Sequence, residues 1–226
     1  MPALRKLLFT LAAFAAVVFV STPARADTIV FTTRSAFVAA TSSLTTINFE
    51  GIASTNSVAN FSSPLTIAGA TFSGSASGSV SVVDSGFFAP LFQFNSGASL
   101  SGFAFVDVTL PAGTTAIGTD LMSTNPDGLP FMVTLSNGES FIVNTPSRPA
   151  RGFFGITSDV AITSIRFVTM PGPNQSSGIP LIDNFSFGQA APAAVPEPAT
   201  MVLLGTGLVG IAVRARGRRK SSKSGK

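Results

Sequence analysis

The 226-residue chain contains no cysteine, no histidine, no tryptophan and no tyrosine. Without cysteine it can build neither a disulfide framework nor a thiolate metal site, even in an oxidising compartment. Without histidine it lacks the side chain that most often does general acid–base work, and the usual zinc ligand goes with it. Serine is plentiful, but with no histidine beside it there is no ordinary nucleophile–base pair. The aromatic residues are all phenylalanine, 21 of them, so the two rings that join a flat face to a polar edge are missing. Charge is scarce as well, at 11% of residues. Carboxylates are present, yet none stands in a recognisable catalytic motif, and the chain reads as non-enzymatic.

The little charge there is lies unevenly. The formal net charge is +4, which taken whole points to an anionic partner. Most of the bases sit at the two ends: Arg5, Lys6 and Arg25 at one, and Arg214, Arg216, Arg218, Arg219, Lys220, Lys223 and Lys226 at the other. Between Asp27 and Val195 only Arg34, Arg148, Arg151 and Arg166 remain. They face nine acids, Asp27, Glu50, Asp84, Asp107, Asp120, Asp127, Glu139, Asp159 and Asp183, so the interior carries −5. A domain of that sign repels phosphates, which argues against nucleic acid as a partner.

The ends read as targeting segments. Arg5 and Lys6 precede an apolar run over residues 7–20, and Ala24-Arg25-Ala26 is a small-residue cleavage site. That order is a secretory signal peptide cut by signal peptidase, with the mature chain starting at Asp27. At the other end Val195, Pro196, Glu197 and Pro198 lead into an apolar run over residues 199–213, followed by the arginine cluster. The run is short for a membrane span, ~22 Å at ~1.5 Å rise per residue against a ~30 Å core, and flanking arginines must snorkel to extend it. The basic end then stays cytoplasmic.

These residues, with Leu204, Gly205, Gly207 and Leu208 in the apolar run, resemble the PEP-CTERM sorting signal, a tail also labelled an ice-binding protein C-terminal domain. The resemblance implies recognition and cutting by an exosortase, hence transient anchoring in the inner membrane. It also implies delivery to the cell surface or extracellular matrix of a biofilm-forming bacterium, in association with exopolysaccharide. The organisation expected is a signal peptide (1–26), a folded domain (27–189), a linker with the Pro-Glu-Pro motif (190–198), a hydrophobic sorting helix (199–213) and a basic tail (214–226).

The folded domain has a β composition, rich in Ser, Thr, Gly, Phe, Val and Ile. Alternating segments recur at residues 45–49, 66–73, 80–83, 103–108, 115–122, 131–136, 139–143, 151–156, 162–168 and 179–187, with turn residues between them. Asn137-Gly138 between two such runs predicts a hairpin with a type I′ turn, and Ala68-Gly69 a second hairpin. Ser35 is a candidate cap for one short helix over residues 36–40. About ten strands without long helices predict two packed antiparallel sheets, an all-β sandwich of jelly-roll type. Phe103, Phe105, Phe153, Phe154, Phe185 and Phe187 are the expected core between the sheets. The cluster Phe87, Phe88, Phe92 and Phe94 around Pro90 is expected to be a buried connection.

Residues 34–40, 47–51, 153–159 and 182–188 look like the body of many PEP-CTERM exported proteins. Ile47-Asn48-Phe49-Glu50-Gly51 and Ile182-Asp183-Asn184-Phe185-Ser186 also resemble the first and last strands of carbohydrate-binding jelly rolls. That second resemblance implies that Glu50 and Asp183 meet and share a structural calcium, whose hard, flexible coordination suits carboxylate oxygens. The alternative is an arginine, Arg34 or Arg166, placed to relieve the repulsion between the two carboxylates. Two functions follow: a non-catalytic surface or matrix protein, or a carbohydrate-binding module carrying calcium.

Overall fold

The computed structural model describes residues 27–75, 77–87, 97–172 and 178–192. The chain falls into two units, Met1–Ala191 and Pro192–Lys226, and the fold described belongs to the first. The signal peptide, the Pro-Glu-Pro motif, the sorting helix and Phe88, Phe92 and Phe94 lie outside the described residues. Among the described residues no helix is long and apolar enough to cross a membrane.

Among the described residues fourteen strands form two antiparallel sheets. The larger runs β1 (Thr28–Phe31), β12 (Gly152–Ser158), β9 (Ala116–Ser123), β14 (Pro180–Ala190), β7 (Ser99–Ser101), β6 (Val80–Val83) and β3 (Val58–Phe61), with β2 (Thr41–Ile47) also paired to β14. The smaller runs β11 (Ser140–Asn144), β10 (Pro130–Leu135), β13 (Ser164–Thr169), β8 (Phe105–Thr109), β5 (Ala70–Gly74) and β4 (Leu65–Ile67). From β7 to β10 and again from β12 to β14, successive strands alternate between the sheets. This is the two-sheet sandwich that the alternating segments predict. The sequence pattern missed β1, β3 and β7, which are short and show little alternation.

The hairpin at Asn137-Gly138 forms between β10 and β11, but its turn differs from type I′. Gly138 N–H donates to Leu135 O (3.0 Å), Leu135 N–H donates to Glu139 O (2.9 Å), and only Gly138 has positive φ, +88°. That is a three-residue loop, a type I turn closed by a left-handed glycine. Asn137 helps by accepting the Glu139 N–H on its side-chain oxygen (3.0 Å), a role open to it at negative φ.

Aromatic rings join the sheets. Phe72 of β5 meets Phe49 and Phe185, each at 5.3 Å between centroids and near-perpendicular, a favoured edge-to-face arrangement. Phe154, Phe185 and Phe187 are in the core as expected. Three others are not. Phe105 lies on the outer face of the smaller sheet, with the Arg166 guanidinium 4.3 Å from its ring centre and doubly bonded to Asp107 at 2.6 Å. Phe153 lies on the outer face of the larger sheet, and Phe103 is 58% exposed. The clue was present in the sequence: Asp107 shares the parity of Phe103 and Phe105, while Val106 and Val108 share the opposite one. In β8 the small branched residues face inward.

Among the described residues one helix forms, α1 (Arg34–Ala39); its N-cap is Thr33, two residues before Ser35, and no side chain caps it. It is held instead by Phe37, fully buried on the outer face of the larger sheet. Phe37 settles between Phe31 and Phe153 because the sheet beneath it is bare: Gly118 and Gly155, partners across β9 and β12, leave the space. A Cβ on either glycine would come within 2.7–2.8 Å of the ring. Asp27 N–H donates to Asp159 (3.0 Å) and Thr28 Oγ1 to Glu139 (2.6 Å), fastening the start of β1. Phe37→Ala is expected to lower stability by about 3–5 kcal/mol, the cost of emptying a closed aromatic site, measured by denaturant unfolding. A loss below 1 kcal/mol on the same scale would show that the helix is not anchored there.

Candidate functional site

The larger sheet divides at β14. The first part of this strand pairs with β7 (Leu181 with Ser101), and the later part pairs with β2 (Phe185 with Ile47), while β9 runs along the other side. The register against β9 shifts between Asp183 and Ser186, and Asn184 takes φ +49°, so a bulge marks the fork. Glu50 follows the end of β2, and Gly97 and Ala98 precede β7, so both arrive at the same point. Phe49 turns the chain there, at φ +58° with its ring in the core.

The structure brings Glu50 and Asp183 together. Glu50 Oε1 accepts the Ala98 N–H at 2.8 Å, tying the exit of β2 to the entry of β7. A Cβ added at Gly97 would collide with that same Oε1 and stand 3.6 Å from Asp183 Oδ2. The two carboxylates therefore flank one glycine, whose φ of +74° also favours the lack of a side chain.

The arginine beside Asp183 is Arg151, not Arg34 or Arg166. Arg151 Nη1 bonds Asp183 Oδ2, and both side chains are almost wholly buried. Arg34, from α1, pairs with Asp120 at 2.8 Å and reaches Ser186 and the Asn184 carbonyl (3.3 Å each). Asn184 Nδ2 links the two pairs, donating to Asp120 at 2.8 Å and to Asp183 at 3.3 Å. The result is a row across the outer face, Arg34–Asp120–Asn184–Asp183–Arg151, in which two arginine–aspartate pairs meet at a neutral amide.

This donor set fits a guanidinium better than calcium. Arg151 holds Asp183 Oδ2, Asn184 N–H donates to Oδ1 (2.6 Å), and Ala98 N–H holds Glu50. A hard cation would need those same lone pairs. Among the described residues no group of three His, Cys, Asp or Glu side chains could hold a metal ion. Sequence reading missed Arg151 because it lies 32 residues before its partner and its local setting, next to Gly152, carries no signal.

With this geometry in hand, the comparisons with known proteins divide by segment. Residues 194–219 match the family model described as the PEP-CTERM protein-sorting motif, so the chain carries a C-terminal sorting signal. No curated protein matches the chain significantly. The described domain is similar to TmCBM61 solved in complex with β-1,4-galactotriose, at 17% identity and a TM-score of 0.36, over 54% of this chain and 89% of that one. It is similar to a mutant of the family 29 carbohydrate-binding module CBM29-2, at 14% identity and a TM-score of 0.31, over 70% and 99%. A family 11 carbohydrate-binding module from a cellulosomal cellulase of Clostridium thermocellum is similar at 16% identity and a TM-score of 0.27, over 66% and 97%.

Asp183 is the titrating group of the row. Burial pushes its carboxyl up to about 6, Arg151 and the Asn184 N–H pull it back, and the Asp120 charge adds to the rise. The folded value stands above the ~3.9 of a free aspartate, so the folded protein holds this proton more tightly than the unfolded chain. The stability that follows is complete below about pH 4 and is lost as pH rises through about 6. Asp183→Asn removes the titration. The stability of wild type minus that of the variant is expected to fall by about 2–3 kcal/mol between about pH 3.5 and 7. A difference that stays flat in denaturant unfolding across that window would refute the assignment.

Proposed function

We propose that the protein is exported, held briefly at the inner membrane by its C-terminal tail, and then acts by placement at the cell surface or in the extracellular matrix, in contact with polysaccharide. The sorting motif at residues 194–219 carries this reading. The domain in front of it agrees: an acidic sandwich of low charge with no histidine or cysteine, built for order and not for catalysis. Its buried ion row uses every charged side chain on a partner, which leaves no carboxylate pair there posed across a cleft for glycoside hydrolysis.

Processing gives the direct test. Removal of residues 1–26 by signal peptidase and cutting near Pro196-Glu197-Pro198 by an exosortase should leave a released product that begins at Asp27 and lacks the arginine cluster. Intact-mass analysis reads both ends, and a released protein that retains Lys226 rules out the cut. Deletion of the gene should alter aggregation or surface polysaccharide; no change in either would remove the matrix role.

A second reading, a carbohydrate-binding module with structural calcium, has one observation in its favour: the meeting of Glu50 and Asp183 at Gly97. It requires Arg151 to give way to the ion. With Arg151 seated, calcium and chelator are expected to give the same melting curve. A rise of several degrees with calcium, by mass action on the native state, would establish the ion site instead.

A further inference from the structure

Beyond the ion row, the outer face of the larger sheet opens into a groove of about 270 Å³. Its floor is apolar: Val83 and Leu181, buried together with Met122, and Val58 packed against them. Two phenylalanines stand over that floor, Phe87 at 45% and Phe103 at 58% exposure. Phe87 is thus no buried connection.

Phe103 is held there against its backbone preference. Its φ is +67°, a left-handed conformation that a bulky side chain occupies at a cost of ~1–3 kcal/mol. Nothing in the core repays this, because the ring faces solvent. Ser101 supports the turn by accepting the Phe103 N–H on its Oγ (3.3 Å), and Ser75 supports it by accepting the Ala104 N–H (3.2 Å). An exposed ring fixed by a strained backbone is the kind of local conflict found where a ligand is clamped.

Three of the four polar side chains of the groove share one property, while the fourth, Ser81, spends its hydroxyl proton on Asn60 and keeps an acceptor. Asn60 Oδ1 accepts from Ser81 (2.7 Å), Ser101 Oγ accepts from Phe103 N–H, and Thr124 Oγ1 accepts from Ile179 N–H (2.9 Å). Each spends acceptor capacity inside the protein and keeps a donor: the Asn60 amide and the hydroxyl protons of Ser101 and Thr124. Among the described residues no charged side chain lines the groove. The complementary ligand is neutral, offers oxygen acceptors, and has a C–H face to lie on a phenyl ring. The volume of about 270 Å³ falls just below the ~300–1,000 Å³ of sites for drug-sized ligands, which suits one or two sugar rings lying in an open groove.

We propose that this groove binds a neutral saccharide, with Phe87 and Phe103 as the stacking platform and Asn60, Ser101 and Thr124 as donors to its oxygens. The proposal rests on the reading of a glycan-contacting exported protein and gives that contact a place. It makes Phe103 a residue kept for binding at the expense of stability.

The test is titration of the full chain in detergent with neutral oligosaccharides (β-1,4-linked glucose and galactose oligomers, and a neutral glycan array) and with an oligogalacturonate as the anionic control. Wild type should bind a neutral saccharide and not the anionic one. Phe103→Gly should weaken binding at least tenfold while raising Tm by about 2–4 °C, since glycine accepts φ +67° without strain. Phe87→Ala should weaken binding with Tm little changed, and Ile142→Ser, on the distant strand β11, should leave affinity unchanged. If neutral saccharides bind equally well to Phe103→Gly and Phe87→Ala, glycan contact stands but the groove is wrong. Preference for the anionic sugar overturns the proposal, and so does the absence of binding to any saccharide. In the last case glycan contact falls too, while the processing by mass still stands or fails by itself.

Discussion

The pairing of β14 along both of its edges is the constraint on which the rest of the domain depends. Eleven residues serve three neighbours, β9 on one side and β7 then β2 on the other. A strand with strict period two that placed Ile182 in the core would next place Asn184 and Ser186 there. The bulge at Asp183 and Asn184 inserts one residue, so Phe185 and Phe187 take the inward positions instead. One irregular step thus keeps both halves of the longest strand facing the core. It also fixes where the polar residues go, since Asp183 is directed outward at the point where two strands end and little water reaches.

The outer face of the larger sheet is organised around that step. On one side α1 covers bare glycines with Phe37; in the middle the arginines and carboxylates neutralise one another; on the far side lies the apolar groove. Burying an ion pair is worth little by itself, because desolvation offsets most of the attraction. Its effect here is to fix position. Arg34 binds the helix to β9 and β14, and Glu50 binds the exit of β2 to the entry of β7, the two strands that share one edge of β14.

Much of this was legible in the sequence, and the exceptions have physical causes. The hairpins could be read because Ala68-Gly69 and Asn137-Gly138 announce turns between alternating runs. The sorting tail could be read because three unlike elements stand in order at the chain's end. Glu50 and Asp183 could be paired through the strands that carry them, yet Arg151 could not, because a partner drawn from a distant strand end leaves no local pattern. Phe103 and Phe105 defy the expectation because ring size is a weaker sign of burial than parity, and their parity with Asp107 points outward. The turn at Asn137 was right in place and different in type, since loop length, which selects the turn, depends on where pairing resumes across the hairpin.

The hydrogen bond from Asp27 N–H to Asp159 has a meaning that depends on the chain's age. In the uncut precursor that nitrogen is an ordinary peptide amide. The cut by signal peptidase proposed after Ala26 would make the same atom an α-ammonium, and the contact at 3.0 Å would then join opposite charges. Maturation would then tighten the edge of the sandwich at β1 without moving any atom far. The strand already paired with β12 in the uncut chain would thereby gain a charged clasp at its first residue.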